Sequence, residues 1–240
     1  MVRQTTALAF ADWCALRRWI ARYLLVAAVA SGCMAFATSG TAGPADGASL
    51  CAASASMACA MCVYTIVMAL FGADEANGWQ VMRLDMLPVT RDDAVRARYL
   101  VVAGCAALTA LVCSLLGAGE VLLVGAIRGI AFQLPPAGVL LAVTTLTSAL
   151  VLAVAGLVMV AFFSMPANMA RLVAMLPFMA CLLLLVPGVG DGLSVAVGSV
   201  VAAVSALPPA AQVGLGVAAC LAVYLVGMLA SMALYRRREL

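Results

Sequence analysis

The sequence predicts an all-α membrane protein that crosses the bilayer with about six helices. Of its 240 residues, 67% are hydrophobic and only 10% are charged, and the mean hydropathy is +1.18. A soluble domain is about half apolar and about a quarter charged, so this chain has too few polar residues to cover a water-exposed surface. Lipid must therefore solvate much of the folded chain.

Six apolar runs are long enough to cross a hydrocarbon core of about 30 Å at about 1.5 Å per residue. They are Trp19–Ser39, Leu50–Phe71, Tyr99–Leu116, Gly138–Phe163, Leu172–Val189 and Val213–Leu234. Apolar residues continue beyond the third run, past Glu120 to Gly129. The first run is longer than the core of a signal peptide, so we expect it to remain as a span. We predict a single transmembrane domain over residues 1–240.

The arginine positions predict the orientation. If both termini are cytoplasmic, twelve of the thirteen Arg lie on the cytoplasmic side and only Arg128 lies outside. This is the bias that the positive-inside rule describes, and it favours a multi-pass protein of the cell membrane. Residues 190–212 would then be external, as an apolar segment that lies in the interface or dips partly into the bilayer.

The basic residues also exclude several functions. All of them are Arg, and the chain has no Lys and no His. A phosphate-binding P-loop requires a Lys, and catalytic triads and many metal sites require a His. Cys59 and Cys62 form a C-x-x-C pattern, but on a predicted membrane helix without a second pair, which favours a packing role. The Arg residues flank apolar runs and form no separate basic face, so we predict no nucleic-acid partner. We also predict no cofactor, metal or catalytic residue.

The polar segment 72–98 is the main candidate for function. Trp79, Met82 and Met86 share one helical face, which predicts a short amphipathic helix that Pro88 ends. Thr90-x-x-Asp93 is a capping-box pattern that starts a second helix leading into the third span. These residues leave two interpretations open: a bent element on which a partner protein pushes, or a solvated connector.

Three patterns in and around this segment resemble a known family. They are Phe71-x-x-Asp74-Glu75-x-Asn77-x-Trp79, then Leu87-Pro88-Val89-Thr90-Arg91, then Val95-x-x-Arg98-Tyr99-Leu100. They are similar to the D-E-x-N-x-W, L-P-V-S/T-R and K-Y-L motifs that join the second and third of six spans in ABC-type-2 export permeases. The resemblance extends to Phe163–Arg171 and to the basic end of the chain. Arg98 stands where Lys is usual, and residues 163–171 lack the Gly of the family.

The resemblance implies the membrane-spanning subunit of an ATP-driven exporter. Such a subunit pairs with a second permease copy and with separate ATPase subunits, and its helices form the translocation path. On this resemblance, eight loop residues couple to the ATPase: Asp74, Glu75, Asn77, Trp79, Leu87, Pro88, Thr90 and Arg91.

The predicted spans contain no charged side chain in their central turns, which disfavours an ion-coupled secondary transporter. A membrane-embedded lipid-modifying enzyme is a further alternative, but the loop carboxylates have no His or Lys beside them. A group of hydroxyl residues in the fourth span either bonds to its own helix or lines the path: Thr144, Thr145, Thr147 and Ser148. Gly227 and Ser231, four residues apart, predict close helix packing.

Overall fold

The computed structural model describes residues 2–40, 43–77, 90–165, 169–176 and 208–237, with the backbone alone described at 2–4, 15, 18, 19 and 72–77. Five long helices form the described fold: α1 (Val2–Thr38), α2 (Gly47–Asn77), α3 (Arg91–Arg128), α4 (Ala137–Ser164) and α5 (Pro209–Arg237). A 3-10 turn covers Pro44–Asp46, residues 169–176 are helical, and no strand occurs in these ranges. All five long helices, with Ile20–Thr38 representing α1, are long and apolar enough to cross a membrane. The protein is an all-α, multi-pass membrane protein, as predicted.

Three sequence predictions fall mostly outside the described residues. The fifth predicted span, Leu172–Val189, is described only as far as residue 176, and that part is helical. Of the external segment 190–212, only the last residues are described, and they belong to the start of α5. The amphipathic helix around Trp79 lies outside the described ranges.

Helix α3 extends beyond the predicted end of the third span at Leu116. The helix continues for three more turns, past Glu120, and ends at Arg128. Gly129 closes it with a φ of 69°, a left-handed conformation that glycine adopts without strain. Glu120 therefore lies within this helix, eight residues before its end at Arg128.

The two ends of the bundle differ in the residues that meet there. At one end, called here the Thr90 end, Phe71 of α2 stacks on Phe162 of α4 with ring centroids 4.5 Å apart. Phe163 packs against Phe71 and also against Tyr235 near the end of α5. At the opposite end, called the Arg128 end, Arg128 of α3 donates to the carbonyl of Phe36 on α1 at 2.9 Å. The start of α1 and the end of α5 lie at the Thr90 end.

The helices differ in how much of their surface is buried. In the apolar stretch of α4, 61% of the residues are buried, compared with 22% in α1 and 11% in α5. Helix α4 is therefore central, whereas α1 and α5 lie at the edge of the described bundle. Large apolar side chains such as Leu25 and Val26 on α1 and Val226 on α5 are exposed. This is the surface expected of helices that contact lipid or another membrane chain.

Candidate functional site

The structure places the eight predicted coupling residues in three groups. Asp74, Glu75 and Asn77 occupy the last turns of α2, where only the backbone is described. Trp79, Leu87 and Pro88 lie outside the described residues. Thr90 and Arg91 are described fully, at the start of α3. The site can therefore be built from the Thr90 end of α3.

Thr90 is the N-cap of α3, as the sequence predicted. Its backbone is extended (φ −77°, ψ 154°), and its Oγ1 accepts a hydrogen bond from the Asp93 amide at 3.2 Å. The same hydroxyl donates to Asp93 Oδ2 at 2.6 Å. The Thr5 hydroxyl on α1 donates to the other carboxylate oxygen of Asp93 at 2.9 Å. Asp93 is buried, with 1% of its surface exposed, and its carboxylate joins the start of α3 to α1.

The first turn of α3 is also bound to the last turn of α5. The Arg236 guanidinium forms an ion pair with Asp92, including a hydrogen bond from Nε to Oδ1 at 2.8 Å. Arg91 donates to the backbone carbonyl of Tyr235 at 3.2 Å, and its guanidinium lies 5.8 Å from the centre of the Tyr235 ring. These contacts, together with the Thr90–Asp93–Thr5 bonds, are called here the Thr90 clamp. The clamp connects the beginning of α3 to both α1 and α5.

A polar depression of about 550 Å³ opens beside the clamp. Its lining contains arginines and aspartates in close proximity: Thr90, Arg91, Asp92, Asp93, Arg96 and Arg236. The Asp92–Arg236 ion pair of the clamp forms part of this lining.

Arg98, which replaces the usual Lys of the family motif, is buried one turn further along α3. Its guanidinium lies 4.7 Å from the centre of the Phe71 ring, a cation–π geometry. Asp12 on α1 is also buried and is close enough to interact with Arg98 electrostatically. A flat guanidinium stacks on an aromatic ring more extensively than an ammonium does, so Arg suits this position.

Close to Arg98, a group of hydroxyl contacts joins α3, α4 and α5. The Tyr99 hydroxyl donates to the carbonyl of Gly156 at 2.9 Å and lies 2.8 Å from the Ser231 hydroxyl. Gly227 and Gly156 bring α5 and α4 together, because a Cβ at Gly227 would lie 3.1 Å from the Gly156 carbonyl oxygen. The predicted close packing at Gly227 and Ser231 thus occurs within one chain. We call this group the Tyr99 contact.

The four hydroxyl residues of α4 have different partners. Thr144 and Thr147 both bond to carbonyls one turn earlier in their own helix, at 3.0 and 2.9 Å. Thr147 also contacts the Ser56 hydroxyl of α2 at 3.1 Å. Ser148 donates to the carbonyl of Ala106 on α3 at 2.8 Å. These bonds are local or between helices, so most of the hydroxyl capacity of Thr144, Thr147 and Ser148 is used in packing.

Thr145 and Ser148 line an apolar groove of about 370 Å³ between α3, α4 and α5. The rest of the lining is made of alanine, leucine and valine side chains from the three helices, including Ala103, Ala107, Leu141 and Leu221. The groove has few hydrogen-bonding groups, so its chemistry suits hydrocarbon.

The Cys59–Cys62 pattern lies in the core between α2 and its neighbours. Both cysteines are free thiols with 0% of their surface exposed. Within the described ranges, no group of three or more His, Cys, Asp or Glu residues could hold a metal ion.

Sequence reasoning missed the partners of two carboxylates. It identified Asp93 as part of a helix cap but gave no sign of its bond to Thr5, 88 residues away. It placed Glu120 beyond the third span, whereas the structure sets it against Ser31 of α1 and Ser54 of α2. No local pattern marks these serines, because the helix faces that meet are chosen by tertiary packing.

Comparison with known proteins identifies the family. A family model described as "ABC-2 family transporter protein" matches residues 20–236, which include the Tyr99 contact and all residues of the Thr90 clamp except Thr5. No curated protein and no solved structure gives a match. The match supports a membrane permease of the ABC type. The chain therefore belongs to the ABC-2 family of membrane transporter proteins.

Proposed function

We propose that this chain is the membrane-spanning subunit of an ATP-driven exporter. It works with a second permease copy and with separate ATPase subunits, which contact segment 72–98. Both termini and this segment face the cytoplasm of the cell, and the helices form the path through the cell membrane. The family match supports an ABC-type permease, and the arginine distribution supports the orientation.

The Thr90 clamp is the observation that carries the proposed coupling. A force on segment 78–89 reaches Thr90 first, and Thr90 is hydrogen-bonded to Asp93. Asp93 is bonded to α1, and the neighbouring Asp92 is paired with Arg236 of α5. A displacement of the start of α3 would therefore also move α1 and α5. A solvated connector requires no such connection to two other helices.

The proposed path runs beside α3, α4 and α5. The groove lined by Thr145 and Ser148 offers an apolar surface that opens between these three helices. Thr144 and Thr147, on the same turns of α4, do not line this groove, so the path-lining proposal is kept for Thr145 and Ser148. Because the groove is almost entirely apolar, it favours a cargo with a hydrocarbon portion.

The coupling proposal is tested by changing the loop without touching a span. Trp79→Ala and Glu75→Lys each remove a residue of the family motif. We expect both variants to bind the cognate ATPase more weakly, or to uncouple ATP hydrolysis from transport, with normal insertion and abundance. Large aromatic side chains dominate many protein interfaces, so the Trp79 variant should lose about tenfold or more in affinity. The measurements are pull-down of the ATPase and transport in vesicles.

The matched control is Gln133→Ala, which alters an exposed polar residue at the Arg128 end. The Gln133→Ala variant should behave as wild type in both assays. Wild-type coupling in both loop variants would show that segment 72–98 is only a connector. The purified chain by itself should show no ATP hydrolysis, because the sequence contains no Lys for a P-loop.

A further inference from the structure

Glu120 is a partly exposed acidic residue of α3 that faces α1 and α2. Its carboxylate Oε1 accepts a hydrogen bond from the Ser31 hydroxyl of α1 at 2.8 Å, and Oε2 accepts from the Ser54 hydroxyl of α2. Ser31 has 0% and Ser54 has 3% of its surface exposed. One carboxyl group therefore joins three helices through two buried hydroxyls.

The three residues of this group lie at similar distances from the ends of their helices. Ser31 lies seven residues before the end of α1, Ser54 lies seven residues after the start of α2, and Glu120 lies eight residues before the end of α3. At about 1.5 Å per residue, each is about 10 to 12 Å from its helix end. The three residues therefore lie at one level of the bundle, about two turns from its Arg128 end.

Within the described residues, the carboxyl group is hydrogen-bonded by hydroxyls and is not paired with a cation. Arg128, two turns further along the same helix, donates to the Phe36 carbonyl and lies 4.4 Å from the centre of the Phe36 ring. An ionised carboxylate without a countercharge is costly in an apolar environment, whereas a neutral carboxyl group with hydrogen-bond partners is tolerated.

The geometry accommodates both protonation states with the same atom positions. Ser31 Oγ lies 2.8 Å from Glu120 Oε1 and also 2.8 Å from the Ala27 carbonyl oxygen. A serine hydroxyl carries one proton, so it donates to only one of these acceptors at a time. With Glu120 ionised, Ser31 donates to the carboxylate. With Glu120 protonated, the carboxyl group donates to Ser31, which turns its own proton to Ala27.

We propose that Glu120, with Ser31 and Ser54, forms a proton-binding site inside the membrane domain. Ser54 donates to Oε2 in both states, so the binding and release of the proton leave no buried donor or acceptor unsatisfied. A metal ion fits the site poorly, because the direct Ser31–Glu120 hydrogen bond leaves no space for an ion between the oxygens. This inference does not rest on the proposed coupling to an ATPase.

The surroundings of the site contain other titratable groups. Cys51 on α2 and Cys113 on α3 are close enough to Glu120 to interact with it electrostatically. On α1, the described neighbours Ser31 and Gly32 do not titrate. On α4, Leu140 packs in the same small apolar cluster as Cys51. The assay must therefore identify the modified residue directly.

A hydrophobic carbodiimide provides the test, because it reacts with protonated carboxyl groups within membranes. The carboxyl proton moves to a carbodiimide nitrogen, the carboxylate oxygen bonds to the central carbon, and rearrangement leaves a stable N-acylurea. The full chain is labelled in phosphatidylcholine vesicles and then cleaved after Arg98 and Arg128. The resulting peptide, residues 99–128, has Glu120 as its only acidic side chain, so mass spectrometry assigns the adduct.

We expect the labelled fraction of this peptide to rise several-fold as the pH is lowered from about 9 to about 5, because the carbodiimide reacts only with the protonated carboxyl group. Glu120→Gln, which imitates the neutral acid, should remain unlabelled at every pH, and Asp46→Asn should label as wild type. The infrared carbonyl band of a protonated carboxyl group should also appear in wild type at low pH and be absent from Glu120→Gln. An unlabelled wild-type peptide at low pH, or equal labelling throughout the range, would overturn the proposal.

Discussion

Tyr224 donates its hydroxyl proton to the backbone carbonyl of Tyr99 at 2.7 Å, and the two rings lie 4.9 Å apart. Tyr99 in turn bonds to Gly156 and Ser231. Two hydrogen bonds thus connect α3 and α5: one from the Tyr224 hydroxyl to α3, and one between the hydroxyls of Tyr99 and Ser231. Both lie close to the buried Arg98. The Tyr99 contact therefore links α3 to α5 and to the central helix α4.

Removing these hydroxyls should destabilise the bundle by measurable amounts. Tyr224→Phe loses one hydrogen bond and should reduce the free energy of unfolding by about 0.5 to 1.5 kcal/mol. Tyr99→Phe loses contacts with two partners and should reduce the free energy of unfolding by about 1 to 2 kcal/mol. Equilibrium unfolding in mixed micelles measures both. Ser231→Ala combined with Tyr99→Phe should cost less than the two single changes added together, because they share one bond.

The contact between Gly156 and α5 leaves no room for a side chain. A Cβ at Gly156 would lie 2.8 Å from Tyr224 Cδ2 and 3.3 Å from Tyr224 Cα. Gly156→Ala should therefore force α4 and α5 apart and destabilise the bundle by about 1 to 3 kcal/mol. The measurement is the unfolding midpoint in the same micelles.

Gly104→Ala is the matched control for this substitution. Gly104 is an exposed helical glycine with no atom near the position of a Cβ. Alanine there should leave stability unchanged or raise it by up to about 1 kcal/mol, because it lowers the entropy of the unfolded chain. A Gly156→Ala variant as stable as Gly104→Ala would contradict the close packing of α4 on α5.

The helix cap at Thr90 should also contribute to stability. Thr90→Ala removes the acceptor for the Asp93 amide and one of the two hydroxyls that bond to the buried Asp93 carboxylate. We expect a loss of about 1 to 3 kcal/mol, whereas Thr90→Ser should retain most of the stability. Amide hydrogen exchange at Asp93 and Ala94 should accelerate in the Ala variant. Equal exchange in wild type, Thr90→Ser and Thr90→Ala would rule out a stabilising cap.

The orientation of the chain can be measured by cysteine accessibility. In a background without the nine native cysteines, a single Cys at the exposed Ala45, just before α2, should react with an impermeant maleimide from outside the cell. Single Cys residues at Asn77 and Glu239 should react only after the membrane is opened. The reason is the distribution of arginine, which favours the cytoplasmic side. Labelling of Asn77 on intact cells would reverse the proposed topology.

Local signals predicted most of the fold but not its long-range contacts. Thr90 was identified as a helix cap because the capping pattern spans only four residues. Helix α3 continues past the predicted end of its span, because Glu120, which hydropathy treats as an isolated charge, is hydrogen-bonded by Ser31 and Ser54 in the folded chain. A carboxylate with two hydroxyl partners is compatible with a membrane helix, but nothing within one turn of Glu120 indicates those partners.

The sequence by itself determined that the chain is a helical membrane protein of a transporter family, because apolar length, arginine placement and the loop motif are all properties of short segments. Only the tertiary structure decided which helix faces meet. The Thr5–Asp93 and Asp92–Arg236 pairs are separated by 88 and 144 residues. Apolar side chains are compatible with any face of a membrane helix, whereas each polar group has few partners within reach once the helices pack. The apolar composition therefore predicts the class of the protein. The clamp and the proton site depend on which polar groups meet, and only the packed helices show that.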